Sequence, residues 1–264
     1  MTKTAVVTGA GRGVGHLIAR GFARKGFAVL ATDVNAEWAR ATAETIGGEA
    51  WSMAQDVRNP ESHREVARAA AERGALEVWV NNAGVMKAGT LWELDDDEVR
   101  RQVDVNLMGV IWGSRAAVDV MRVGGGHLIN LASLSALVPA PGLAVYAATK
   151  QAVLGFSTSL QGDLQRDGLP VKVSAVCPDA IDTEMVDENA GSDSAALLFT
   201  AKKLLTPQEV ADRVVGLVDR PRLQTVLPTR NALLAHVFRP FPAFSLQVLR
   251  GFAWVGERNR KKRI

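Results

Sequence analysis

Short apolar runs alternate along this chain with longer stretches of helical period. The runs at 4–8, 28–32, 50–55, 77–81, 127–132, 171–176 and, more weakly, 224–227 have strand length. Most are near-continuous in apolar residues, as strands covered on both faces must be. Between them, 14–25, 36–46, 60–73, 95–121, 145–166 and 207–219 read as helices. Asp95 and Glu98 predict a capping box, and Pro60 and Pro207 suit a first helical turn. Strand alternating with helix predicts an α/β fold, a doubly wound parallel sheet of about seven strands with helices on both faces.

Two segments break the rhythm. Residues 179–205 are polar, then apolar, without a clear period, and predict an irregular flap. Residues 231–264 follow the last strand and end in a basic cluster, Arg258-Asn259-Arg260-Lys261-Lys262-Arg263. No linker or repeat intervenes. One domain is therefore expected over 1–230, with the flap 179–205 inside it and 231–264 as a basic amphipathic extension of the same body.

Composition adds exclusions. At 264 residues, 47% hydrophobic and 22% charged, the chain has enough apolar surface for a sizeable core. The net charge of +3 hides an asymmetry: from Arg220 onward stand ten Lys or Arg and one acid, a local charge of +9, against −6 before it. The single cysteine, Cys177, excludes an internal disulfide and a cysteine-cluster metal site. His16, His63, His127 and His236 show no ligand spacing, so no metal is expected. No signal peptide precedes the first strand and no window approaches a membrane span, so a cytoplasmic protein is expected. The basic residues form one short terminus without a recognisable module, which argues against nucleic-acid binding.

The first strand runs into Thr8-Gly9-Ala10-Gly11-Arg12-Gly13-Val14-Gly15, and a helix follows at once. Such a turn lets backbone N–H groups approach a pyrophosphate beside a helix N-terminus, which makes the sheet Rossmann-type and a dinucleotide its ligand. Asp33 ends the second strand, where a carboxylate accepts from the adenosine ribose and repels a 2′-phosphate. NAD is therefore expected; Arg12, a guanidinium able to meet a 2′-phosphate, keeps NADP as the alternative. Tyr146, the only tyrosine, stands four residues before Lys150, on one helix face with it. There an ammonium can lower a phenol's pKa toward the range of an acid–base catalyst.

These motifs resemble the short-chain dehydrogenase/reductase family across nearly the whole chain. Thr8-Gly9-x-x-x-Gly13-x-Gly15 matches its cofactor loop, and Gln55-Asp56-Val57 its adenine pocket, with Asp56 near the adenine amino group. Asn81-Asn82-Ala83-Gly84 matches the segment that closes the fourth strand against the cofactor. Asn106 falls at the family's catalytic asparagine, and Ser133, thirteen residues before Tyr146, at its serine; Ser135 is the nearby competitor. The resemblance implies that Tyr146 exchanges a proton with the substrate oxygen, which Ser133 hydrogen-bonds. Lys150 would depress the Tyr146 pKa and hold the nicotinamide ribose, and Asn106 would help hold a relay water. It places Pro178, Ile181 and Thr183 beside the nicotinamide, though Asp179 stands where the family usually has glycine. Aspartate tolerates positive φ, and its carboxylate there would favour the oxidised cofactor.

The resemblance makes the flap 179–205 a substrate lid, and its segment 195–199, with Leu134, Leu137 and Val138, then predicts an apolar cavity wall and hence a hydrophobic secondary alcohol or ketone. An NAD-dependent alcohol dehydrogenase/ketone reductase is the leading class, an NADPH-preferring reductase the second, and a nucleotide-binding sensor the third. Helices 95–121 and 145–166 resemble those the family uses for a homodimer or homotetramer, with Val99, Val103, Leu107, Ile111, Val153, Phe156, Leu160 and Leu164 on their faces. In the tail, Phe241, Phe244, Val248, Phe252 and Val255 recur at three- and four-residue intervals beside Arg239 and Arg250. That pattern fits a helix lying peripherally on an anionic membrane or one packed on the body. Pro240, Pro242 and Gly251 weaken a membrane helix and favour packing.

Overall fold

The structure is a computed structural model that describes residues 2–201, 203–232 and 240–261. His236, Arg239 and the Lys262-Arg263 end of the basic cluster lie outside the described residues. Seven strands form the sheet: β1 (Lys3–Thr8), β2 (Ala28–Asp33), β3 (Trp51–Ala54), β4 (Ala75–Asn81), β5 (Gly126–Leu131), β6 (Val171–Pro178) and β7 (Gln224–Leu227). All pairings are parallel, in the order β3-β2-β1-β4-β5-β6-β7.

Alternation along each strand explains the two covered faces. Ala5, Val7, Val29, Ala31, Val78 and Val80 point to one side, under α1 (Gly13–Arg24) and α8 (Pro207–Gly216). Val6, Leu30, Trp79 and Leu128 point to the other, under α3 (Pro60–Arg73), α5 (Gly109–Gly124) and α6 (Ala144–Arg166). Both faces are covered by helices, so most strand positions are apolar, and buried polar ones such as Asn81, Asn130 and Ser174 find hydrogen-bond partners. A further helix, α2 (Ala36–Ile46), begins at Asn35, whose side chain accepts from the N–H groups of Glu37 and Trp38. Asp33 is thus not the cap of that helix.

Some expectations need correction. The helix expected over 95–121 is interrupted: α4 (Asp96–Val103) passes through a π-helical turn, Asp104–Met108, before α5. Asp95 caps Glu98 N at 2.7 Å, but the Glu98 side chain turns to Arg101, so the box is half made; the complete one joins Thr206 and Glu209 at α8. The flap is only partly irregular, since it holds a short helix α7 (Glu184–Asp187) and a 3-10 segment, Asp193–Phe199. Of the expected oligomer faces, Val153 and Leu164 are buried in the protein's own core and are not available to a partner.

The last helix, α9 (Pro242–Arg260), packs on that 3-10 segment. Gly256 makes the approach: a Cβ there would overlap the Ala196 carbonyl oxygen. Arg260 is 4% exposed and donates to Ala190 O at 2.8 Å and to Asp193 at 2.5 Å, while Asn259 donates to Phe199 O at 2.9 Å. The tail is thereby a roof over the lid. No described helix is long and apolar enough to cross a membrane.

Candidate active site

The strand order reverses between β1 and β4, and a crevice opens at their carboxyl ends, where open α/β sheets hold ligands. Thr8 Oγ1 knits the two strand ends by accepting from Asn82 N and Ala83 N, each at 3.1 Å. Asn82 Nδ2 returns bonds to the carbonyls of Thr8 at 2.9 Å and Gly9 at 3.0 Å. Gly9 takes φ +61°, and a Cβ there would stand 2.7 Å from Ala83 Cα. A Cβ on Gly15 would strike Gly9 O and Asn82 Nδ2. Gly13, at φ +56°, instead faces open space, with only the Thr183 methyl at 4.0 Å from such a Cβ. The loop is thus closed against β4 on one side and open on the other, which suits a bound phosphate group. Val14 packs from α1 against the core.

Asp33 is held ready beside that loop. Its Oδ2 accepts from Gly11 N and its Oδ1 from Asn35 N, both at 3.0 Å. Arg12 is committed elsewhere: its guanidinium pairs with Glu184 and, at 3.8 Å, with Glu188, and lies 4.8 Å over the Trp38 ring. The motif reading missed Trp38, Glu184 and Glu188, because no spacing rule links them to Arg12. Asp56 makes a bidentate pair with Arg58, which holds its carboxyl below the usual range. Val57 is buried, and its carbonyl bonds His63 Nε2 at 2.8 Å.

The four side chains expected to carry the chemistry come from separate parts of the fold. Asn106 sits in the π turn, fully buried; its Nδ2 donates to Val85 O and its Oδ1 accepts from Val85 N, both at 2.8 Å. The extra residue of a π turn re-aims the helix face. Here it accompanies an amide turned onto the segment after Gly84, where a Cβ would lie 3.3 Å from Asn106 Oδ1. Ser133 follows β5, Oγ accepting from Ser135 N at 3.2 Å, and it hydrogen-bonds the Tyr146 hydroxyl. Ser135 is buried and makes no such bond to the phenol. Tyr146 and Lys150 stand one turn apart on α6, as spaced.

The expected depression of the Tyr146 pKa is not what the structure shows. Burial pushes the phenol up to about 12, only partly offset by the Ser133 hydrogen bond. Burial also pushes Lys150 down to about 8. The Lys150 Nζ donates to Leu131 O at 2.8 Å and lies 5.6 Å from the Tyr146 ring centre. One desolvating environment therefore moves both groups toward their neutral forms.

Asp179 also departs from expectation. No residue other than glycine has positive φ among the described residues, so its turn needs no left-handed conformation. Its carboxylate caps Ala180 N and accepts from Asn231 Nδ2, each at 2.8 Å, and burial raises its pKa. A carboxyl held that way is a weak electrostatic lever on the cofactor. Pro178 closes β6, Ile181 bridges to Leu205, and Thr183 Oγ1 bonds Ile181 O at 3.3 Å, so this loop overhangs the crevice.

Beside Tyr146 lies a cavity of about 380 Å³, in the range that holds a small organic ligand. Ser133 and Tyr146 line it with Leu134, Val138, Leu197 and Leu198. Leu137 does not: it is 4% exposed in the core against Ala175 and Cys177, because the 3-10 turn Leu134–Ala136 rotates it inward. Met86, Asn231, Ser245, Val248, Leu249 and Phe252 also line it, and Asp179 and Arg230 bring charged groups to its wall. The apolar period in the tail was a signal for Val248 and Phe252; Asn231 and Met86 carried none.

A model of the short chain dehydrogenase family matches residues 3–193. The chain is 33% identical over 246 residues to the probable oxidoreductase EphD of Mycobacterium tuberculosis, covering 86% of this chain and 41% of that one. It thus spans about two fifths of the mycobacterial relative's length. It is 32% identical over 223 residues to an uncharacterised oxidoreductase of Staphylococcus aureus, covering 83% and 92% of the two chains. Oxidoreductase UcpA of Escherichia coli is 31% identical over 220 residues, with 80% and 82% covered. Among solved structures, the chain is similar to a short chain dehydrogenase/reductase from Burkholderia phymatum in complex with NAD, with TM-score 0.80, 30% identity and coverage of 89% and 92%. With its seven parallel strands, its glycine turn at the strand reversal and its matched segment, this chain belongs to the short-chain dehydrogenase/reductase family.

Proposed function

We propose that the chain is an NAD-dependent enzyme interconverting a hydrophobic secondary alcohol and its ketone. The observation that carries this reading is the joining of Ser133, Tyr146 and an apolar cavity at the crevice mouth. An oxygen placed between the Ser133 and Tyr146 hydroxyls accepts from both. Tyr146, neutral at working pH because burial raises it, is then the proton donor toward a carbonyl oxygen and the acceptor in reverse. Lys150, pushed to about 8, still carries its proton at neutral pH and stabilises the phenolate that forms. Asn106, locked to Val85, keeps the segment after Gly84 and the α4–α5 junction in place. The apolar wall excludes water and selects carbon-rich substituents.

The crevice fits a dinucleotide on its own geometry. Gly9 and Gly15 leave no room for a Cβ, Gly13 opens outward, and Asp33 presents a carboxylate already oriented by Gly11 N. In this reading Gly11, Gly13 and Asn82–Gly84 cradle the cofactor, Asp56 and Val57 flank the adenine, and Ile181 and Thr183 cover the nicotinamide, which supplies or accepts the hydride. The engagement of Arg12 by Glu184 and Glu188 favours NAD over NADP, since a 2′-phosphate would have to displace two carboxylates. Tyr146→Phe keeps the ring and removes the proton. Turnover of a hydrophobic secondary alcohol, followed at the nicotinamide absorbance, is expected to fall by a factor on the order of 10² or more, with cofactor binding unchanged. Activity within a few-fold of the parent would refute the assignment.

A further inference from the structure

The two faces of α9 have different fates. The inner one, through Ser245, Gly256 and Arg260, is buried on the lid. The outer one carries exposed side chains among the described residues. Of the twelve large hydrophobic side chains that stand exposed among the described residues, six fall between Phe241 and Val255. Trp254 is 69% exposed, Phe241 62% and Phe244 55%; elsewhere only Val34, Leu91, Trp92 and Val123 expose comparable or larger fractions. Arg250 and Arg258 are exposed on the same helix, and Lys261 follows it.

We propose that this outer face seats on an anionic lipid bilayer. Aromatic rings with interleaved Arg and Lys are the side chains that settle at a headgroup boundary, where one part of the residue is apolar and the other wet. Charge complementarity names the occupant. Arg250 and Arg258 stand exposed on this helix with Lys261 after it, and the single acid from Arg220 onward, Glu257, is already paired with the buried Arg260 at 2.8 Å. A second copy meeting this face across a two-fold axis would set the same basic patch against itself. An anionic lipid surface supplies the missing negative charge, screened by salt over about 10 Å at 0.1 M ionic strength. Continuity with the cavity supports the same seat. Phe252 is 48% exposed on this side and also lines the cavity, with Val248 and Leu249 beside it. The bilayer would then lie at the mouth through which an apolar molecule enters.

The test uses the full chain sedimented with mixed phosphatidylglycerol/phosphatidylcholine vesicles and with phosphatidylcholine vesicles alone. Binding is expected to the anionic vesicles only, with release on raising salt. The variant Phe244→Ser/Trp254→Ser/Arg250→Gln/Arg258→Gln alters exposed side chains that do not line the cavity. It is expected to lose vesicle binding by a factor of about ten or more while keeping its thermal unfolding midpoint. No sedimentation of the parent, equal binding to neutral vesicles, or equal binding by the variant would each overturn the proposal. So would light scattering that shows a dimer which the variant alone dissociates, since that outcome gives the face to a second copy. Vesicle binding needs no turnover, so its failure leaves the Tyr146 test untouched.

Discussion

Replacing Lys150 by methionine keeps the length of the side chain and removes its charge, and the structure fixes what that does to stability. Lys150 is 4% exposed, and burial lowers its pKa from 10.5 to about 8. Below pH 8 the folded and unfolded chains both hold the proton, and the folded chain bears the whole cost of burying it, about 3 kcal/mol. Between about 8 and 10.5 the unfolded chain holds a proton that the folded chain has lost. Stability rises with pH wherever the unfolded state binds more protons, so this group makes the native protein more stable on the alkaline side. Integrated from about pH 7.5 to 9.5, the gain is about 2 kcal/mol.

The assay is urea unfolding of the parent and Lys150→Met at several pH values across that window. The Tyr146 phenol is present in both chains, so comparison removes its own titration to first order. The parent is expected to gain about 2 kcal/mol relative to the variant from pH 7.5 to 9.5. At pH 7.5 the variant escapes the buried charge but leaves Leu131 O without its donor, a loss of about 1–3 kcal/mol that largely offsets the relief. The pH dependence of the difference, not its value at one pH, carries the reasoning. Parallel curves for the two chains would refute it, because they would mean that Lys150 titrates alike folded and unfolded.

Three further outcomes follow from the same geometry. Gly15→Ala forces a Cβ onto Gly9 O and Asn82 Nδ2, and is expected to cost about 1–3 kcal/mol in urea unfolding and to weaken dinucleotide binding; parental values of both would show that the loop yields freely. Asp33→Ala removes the carboxylate beside Gly11 and should narrow the preference for NAD over NADP by on the order of tenfold in kcat/KM, whereas an unmutated enzyme preferring NADP would reverse the ranking of Asp33 and Arg12. A homo-oligomer built on the α4–α5 and α6 faces would use residues such as Val103, Leu107 and Phe156, with Val153 and Leu164 left in the core; light scattering that gives only a 28.2 kDa particle at micromolar concentration would count against it.

What could be read from the sequence was whatever depends on neighbours along the chain. Strand and helix periods follow from which faces the layers cover, so the residues themselves spell out the order of the seven strands and of the longer helices between them, but not the π turn at 104–108 or the short elements within 179–205. The glycine turn was legible for the same reason, since a strand, a tight turn and a helix are contiguous. So was the pairing of Tyr146 with Lys150, because four residues are one helical turn.

Tertiary structure decided everything that depends on what packs where. Arg12 meets Glu184 and Glu188 from the far lid, so its part in cofactor choice was open until the lid was placed. Asn231 reaches Asp179 across 52 residues and turns a suspected electrostatic lever into a hydrogen-bonded brace. Leu137, apolar like its neighbours, faces the core because of a single 3-10 turn. The π turn that aims Asn106 leaves the apolar spacing of its helix almost unchanged, so periodicity could not reveal it. The tail read as a packed helix in preference to an interfacial one, and the fold buries one face of it on the lid while leaving aromatic and basic side chains outward. A local pattern specifies which side chains share a face, but only the assembled layers specify what that face meets.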